Sequence, residues 1–260
     1  MRKILFFCFI ISTILNPCYA DVDWKILVVR VFTGDQSAAT RLLKQELSGI
    51  QYNAHMSVGD FFDMHPELEL PIYEYLKRPK IDQHYLTDGT IEYGYHLPLV
   101  GGIIQEILPD AQPVSLMVPM LCPTCRQPWP EHIHLPEGVS LIPKDNEASD
   151  FSGIIIDCRG LALEPCLFPR ILSEGMVDVY SSDFADPQYL IMRGLATYHR
   201  DEKQTQIRTG ENPLRIKAMG ITGDCKTNII ISTSDAQIIH SAQNNLNLLR
   251  ECRVAIIVGE

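Results

Sequence analysis

Past its first 20 residues the chain has no apolar run of about 18 residues, so no transmembrane segment is expected in the mature protein. Basic side chains are scarce as well. Arg2 and Lys3 are the only charges among the first 20 residues, and without them 20 basic side chains face 32 acidic ones, a net charge of −12. Such acidity argues against nucleic acid as a partner, whose phosphates call for lysine and arginine, and against docking on an anionic bilayer. The familiar catalytic signatures are missing too. There is no Gly-x-Ser-x-Gly elbow and no His-Glu-x-x-His helix, and the eight histidines show no ligand spacing beyond His132-x-His134. Gly220 to Thr227 resembles a phosphate loop but lacks a glycine directly before Lys226 and runs into a strand, where a helix N-terminus is needed. No catalytic residue is therefore assigned.

The first 20 residues contain an export signal: the basic pair Arg2-Lys3, an apolar run from Ile4 to Ile14, and a small residue, Ala20, just before Asp21. Residues 1–20 are read as a signal peptide cleaved after Ala20, and the mature protein as periplasmic. Asn16-Pro17 stands where lipidation sites carry small residues, so Cys18 is read as part of the signal. Export leaves Cys122, Cys125, Cys158, Cys166, Cys225 and Cys252 in an oxidising compartment, an even number for which disulfides are expected. Cys122 with Cys125 and Cys158 with Cys166 are the candidate pairs.

Cys122-Pro123-Thr124-Cys125 is followed by Trp129, His132 and His134 and admits three readings. The plainest is a disulfide, which needs no cofactor. A zinc site is the second, with the two thiolates and the imidazoles of His132 and His134 completing a tetrahedron. The third is a thiol exchange centre, against which Pro128-Trp129-Pro130 prevents the helix that lowers a thiol pKa. Asp157 and Arg159 follow a buried strand, where open sheets hold ligands, and a salt bridge within the loop is the plainer account of them. His199 and His240 are placed on solvated helix faces.

Periodicity divides the mature chain into two small domains, residues 21–109 and 151–260, joined by a proline-rich linker over 110–150 that carries the Cys-x-x-Cys. Eight of the 17 prolines fall between Pro109 and Pro143, which favours extended backbone over a packed layer. In the first domain, a strand at Val28–Phe32 leads to a helix capped by Asp35 or Ser37 with Ala39, Leu42, Leu43, Leu47 and Ile50 on one face. A weaker strand is expected near Ile50 to Val58. A hairpin joins Ile81–Leu86 to Ile91–Leu97 through Thr87-Asp88-Gly89-Thr90, with Glu92 and His96 facing outward. The second domain shows strands at Ile154–Ile156, Leu167–Leu172, Met176–Tyr180, Leu214–Ile221, Asn228–Ile231 and Val254–Val258. Helices are expected after Asp186-Pro187, with Leu190, Ile191, Leu195 and Tyr198 on one face, and after Thr233 or Ser234 as far as Leu249. Strand runs broken by helices predict an α+β fold, each domain a mixed or antiparallel sheet packed by helices.

The stretch Ala38 to Leu108, with Tyr85-Leu86-Thr87-Asp88-Gly89-Thr90-Ile91-Glu92 and Leu97-Pro98-Leu99-Val100-Gly101-Gly102, resembles the exported domain of the twenty-kilodalton surface lipoproteins. That family includes the flagellar lipoprotein FlgP and part of the flagellar assembly protein FlgT. Ser152 to Leu161, Pro169-Arg170-Ile171-Leu172 and Asn212-Pro213-Leu214 resemble a module found behind that domain in uncharacterised exported proteins. The resemblance implies a non-enzymatic structural or assembly protein on the outer-membrane side of a flagellar or other surface apparatus, acting through protein partners or self-assembly. A metal-binding or thiol-redox module at Cys122 and Cys125, and a periplasmic small-ligand binder at Asp157 and Arg159, are the alternative functions.

Overall fold

The computed structural model describes residues 19–259, apart from 86, 88, 90, 131, 132, 137 and 145–148. Of the residues 1–20 expected to form a signal peptide, only Tyr19 and Ala20 are among the described residues. The fold is α+β and carries three four-stranded sheets.

The first sheet is antiparallel throughout, in the order β1-β2-β4-β3, from β1 (Tyr19–Asp23), β2 (Val28–Thr33), β3 (Lys80–Tyr85) and β4 (Ile91–Pro98). Strict alternation sets its faces: Val29 and Val31 are buried while Arg30 and Phe32 are not. Between β2 and β3 the chain forms α1 (Gln36–Gly49), α2 (Val58–Met64), a 3₁₀ turn (Pro66–Leu68) and α3 (Glu69–Leu76). Asp35 caps α1 by accepting from the Ser37 amide at 2.9 Å, and Ala39, Leu43 and Leu47 form its buried stripe. Ser57 and Asp60 close a reciprocal capping box on α2. The strand expected near Ile50 to Val58 reduces to one bridge between Gln51 and Ser57. After β4, a π turn (Leu99–Ile103) runs into the short α4 (Ile104–Glu106).

Among the described residues, the proline-rich stretch makes the two-stranded β5 (Met120–Leu121) and β6 (Ile142–Pro143) and a single bridge between Leu121 and Pro128. The remaining elements are β7 (Gly153–Asp157), β8 (Ile171–Ser173), β9 (Asp178–Tyr180), α5 (Pro187–Arg193), β10 (Thr197–His199), α6 (Gln206–Thr209), β11 (Pro213–Lys217), β12 (Gly220–Thr222), β13 (Asn228–Ile231), α7 (Thr233–His240), α8 (Gln243–Arg250) and β14 (Val254–Ile257). The second sheet is parallel, β10-β14-β7-β11, and its central strands are buried on both faces, as parallel sheets require. The third is mixed, β12-β13-β8-β9.

Three expected elements are each broken in two. The single strand over Leu214–Ile221 becomes β11 and β12 in different sheets, because the Ala218 amide bonds to Asp157 O and the Met219 amide to Ile230 O. The helix carried through to Tyr198 stops at Gly194 (φ +71°), and Tyr198 lies in β10 opposite Ile256. The long helix ending at Leu249 breaks at Ala242, where Ile238 O accepts from Ser241 Oγ and Asn245 Nδ2. The Gln51–Ala54 loop also binds the two halves of the chain together: Leu167, Phe168 and Cys225 donate to the carbonyls of Gln51, Tyr52 and Ala54. One cluster of buried apolar side chains runs through both regions.

Candidate functional site

Cys122 and Cys125 sit on a tight loop beyond β5. The Cys122 amide bonds to Gln127 O and the Arg126 amide to Cys122 O, both at 2.9 Å, and Arg126 takes φ +59° to complete the turn. The amides of Cys125 and Thr124, followed by the Cys125 thiol, hold the Cys122 thiol below its usual pKa. Both cysteines are free. His134 is exposed and His132 lies outside the described residues, so of the proposed zinc quartet only the two thiols are seen together. No group of three or more His, Cys, Asp or Glu able to hold a metal occurs among the described residues.

At the end of β7, Asp157 accepts from the amide of Arg159 at 3.0 Å, from its Nε at 2.9 Å, and from its Nη2. The guanidinium pulls the Asp157 carboxyl below the usual range, and the pair closes on itself. Cys158 and Cys166 are buried free thiols, each pushed up to about 12 by burial, and no disulfide joins them. Cys166 lies against the Tyr198 hydroxyl, which donates to Cys166 O at 3.0 Å and accepts from the Cys166 amide.

Neither His199 nor His240 occupies a solvated helix face. His240, at the end of α7, is wholly buried beside Phe184; its Nε2 donates to Val179 O and its Nδ1 accepts from the Met117 amide, which ties the proline-rich stretch to the core. These two bonds fix the neutral tautomer, and burial lowers its pKa. His199 is a strand residue of β10, 5% exposed, with Nε2 2.9 Å from Thr197 Oγ1 and Nδ1 without a partner among the described residues.

His199 belongs to a cleft that the sequence did not announce. The turn between β1 and β2 presses on the C-terminal half here: Trp24 O accepts from the Tyr198 amide, the two rings meet edge-on at 5.5 Å, and Leu27 packs on Gly194. A cleft of about 630 Å³ opens beside this contact. Lys25, Ile26, Leu27 and Val100 line one side, and residues of α5, β10 and α6 together with Arg253 line the other. Arg208 donates Nη1 to Arg193 O and Nη2 to Gly194 O and Leu195 O, capping the C-terminal end of α5. No motif marks these residues; they are single basic and apolar positions far apart in the chain.

Residues 153–260 match the family model of the second domain of Treponema pallidum Tp0624. No curated protein matches the chain. The matched span begins at β7 and holds the second and third sheets and one wall of the cleft, whereas the opposite wall comes from residues that precede it.

Proposed function

We propose that this is a non-enzymatic exported protein of the periplasm that acts by assembly, adding strand β3 to a second copy of itself. The observation that carries the reading is the state of β3. It is an edge strand, all six of its residues are exposed, and its outer backbone is bare among the described residues. Ile81, Tyr85 (76% exposed) and Ile91 share one face of the hairpin through the pairs Ile81–Tyr95 and Tyr85–Ile91, a sticky edge of the kind that most monomers bury or blunt. Gly89 (φ +85°) supplies the positive φ of the hairpin turn; Asp88 lies outside the described residues. Glu92 and His96, expected to face outward, belong to β4, which is paired on both sides, so the free edge for assembly is β3.

No helix among the described residues is long and apolar enough to cross a membrane. The resemblance of the N-terminal half to the FlgP and FlgT group supports a place on the outer-membrane side of a flagellar or other surface apparatus. Light scattering on the exported protein tests the reading. The wild type should exceed monomer mass, and Ile81→Glu with Tyr85→Glu should return it to monomer with unchanged circular dichroism. A wild-type monomer that co-purifies with no partner, in a strain whose deletion leaves motility normal, would overturn it. The second reading, a thiol module, is favoured by the lowered Cys122 pKa and the exposed Cys125 beside it.

A further inference from the structure

The cleft beside Gly194 combines three properties that are seldom found together on an acidic surface. Its polar wall is cationic: Lys25, Arg193, Arg208 and Arg253 converge there, and among the described residues only Arg253 has a carboxylate, Glu251 at 2.9 Å, within ion-pair distance. Arg193 and Arg208 instead use their guanidinium groups on backbone carbonyls, which leaves the positive charge without a counterion. Two polar atoms of residues that line the cleft, His199 Nδ1 and Arg208 Nε, are buried beneath its surface and lack a partner among the described residues. A buried donor left unmade is costly, and both groups leave unanswered donor character beneath the floor of the cleft. The mouth, by contrast, is apolar. Ile26 (57% exposed), Met192 (70%) and Ile207 (fully exposed) stand around it, where water is a poor neighbour for each.

We propose that this cleft binds an amphiphilic anion, a single molecule with an apolar body and one carboxylate or phosphate head. The head lies over Lys25 and Arg193, above the buried side chains of Arg208 and His199; the body lies between Met192, Ile207 and Ile26. The cleft volume of about 630 Å³ falls in the usual range for small-molecule sites. Because one wall comes from the β1–β2 turn and the other from the C-terminal half, the ligand also bridges the two regions and stabilises their docking. His199 stays neutral near pH 7, its pKa pushed down to about 4 by burial and then by Arg208 and Lys25, so the positive charge of the cleft rests on Lys25 and the arginines. The inference is independent of assembly through β3.

The test is titration of the purified exported protein with dodecanoate and dodecyl phosphate below their micelle concentrations, read by calorimetry and by Trp24 fluorescence. Dodecanol and inorganic phosphate probe body and head alone. Binding of either anion at least tenfold tighter than dodecanol, lost about tenfold in Arg193→Gln or Lys25→Gln and in Ile207→Ser, supports the proposal. Lys25 and Ile207 are exposed, so those variants keep the fold if Arg193→Gln does not. Equal affinity for dodecanol and dodecanoate, or no binding of either, would overturn it. Phosphatidylglycerol vesicles form a separate arm: association with vesicles, without binding of the free anions, would mean surface adsorption and would overturn a one-molecule cleft.

Discussion

The docking of the β1–β2 turn on the C-terminal half can be tested by a double-mutant cycle between Leu27 and Gly194. Leu27 is 2% exposed, and a Cβ placed on Gly194 would lie 2.2 Å from its Cδ1 and 3.6 Å from Ile104 Cδ1. Gly194 also holds φ +71° and ψ 165°, a backbone region that side chains other than glycine rarely enter. Gly194→Ala should therefore cost about 1–3 kcal/mol in backbone strain and about 1–3 kcal/mol more in overpacking against Leu27. Leu27→Ala should cost about 2–5 kcal/mol through lost burial and the cavity it leaves. In the double variant the clash is gone while the strain remains, so its loss should fall short of the sum by about 1–3 kcal/mol, well outside the scatter of independent sites. Urea unfolding followed by far-ultraviolet circular dichroism and by tryptophan fluorescence supplies the four stabilities and shows through the m-values whether unfolding stays a single transition. Additivity within about 0.5 kcal/mol, or two separate transitions in the wild type, would refute the contact and with it the cleft.

Acid should weaken the fold through its buried histidines. His199 and His240 are held neutral when folded and take a proton near pH 6.5 when unfolded, so their contribution is full above about pH 6.5 and declines as pH falls toward about 4, where His199 itself protonates. Water in the cleft screens part of the His199 effect, leaving about 1–2 kcal/mol, and His199→Gln should flatten the fall in urea midpoint between pH 7 and 4.5. A midpoint equally steep in that variant would exclude His199 as its source. Native alkylation with iodoacetamide at pH 7.5 should mark Cys122 and Cys125 first, because Cys158, Cys166 and Cys252 are buried with pKa values raised to about 12, 12 and 11. Mass spectrometry finding Cys158 labelled as fast as Cys122, or a Cys158–Cys166 bridge in a non-reducing peptide map, would contradict this. N-terminal sequencing of the exported protein should begin at Asp21, which leaves Asp21, Val22 and Asp23 to pair with Arg30, Val29 and Val28; a lipid-modified Cys18 would contradict it.

The sequence by itself determined what local physics decides. The period of Val29 and Val31, the cap at Asp35, the stripe Ala39, Leu43 and Leu47, the turn glycine Gly89 and the buried Ile154–Ile156 all lie within a few residues of their causes, and each element appears where those signals place it. The α+β class followed from their order. Tertiary structure alone decided where long apolar runs break. Nothing within Leu214–Ile221 shows that Ala218 bonds toward the second sheet and Met219 toward the third, and nothing near Tyr198 shows that its amide meets Trp24. The same holds for the environments of the two histidines: a helical period with polar neighbours reads as a solvated face, whereas their burial depends on Met117, Val179 and Thr197 being brought against them. The cleft is the extreme case. Lys25 and Arg208 are separated by most of the chain, and their charges converge only because parallel pairing of β10 with β14 and docking of the β1–β2 turn bring both to one edge, a long-range outcome that spacing along the sequence does not encode.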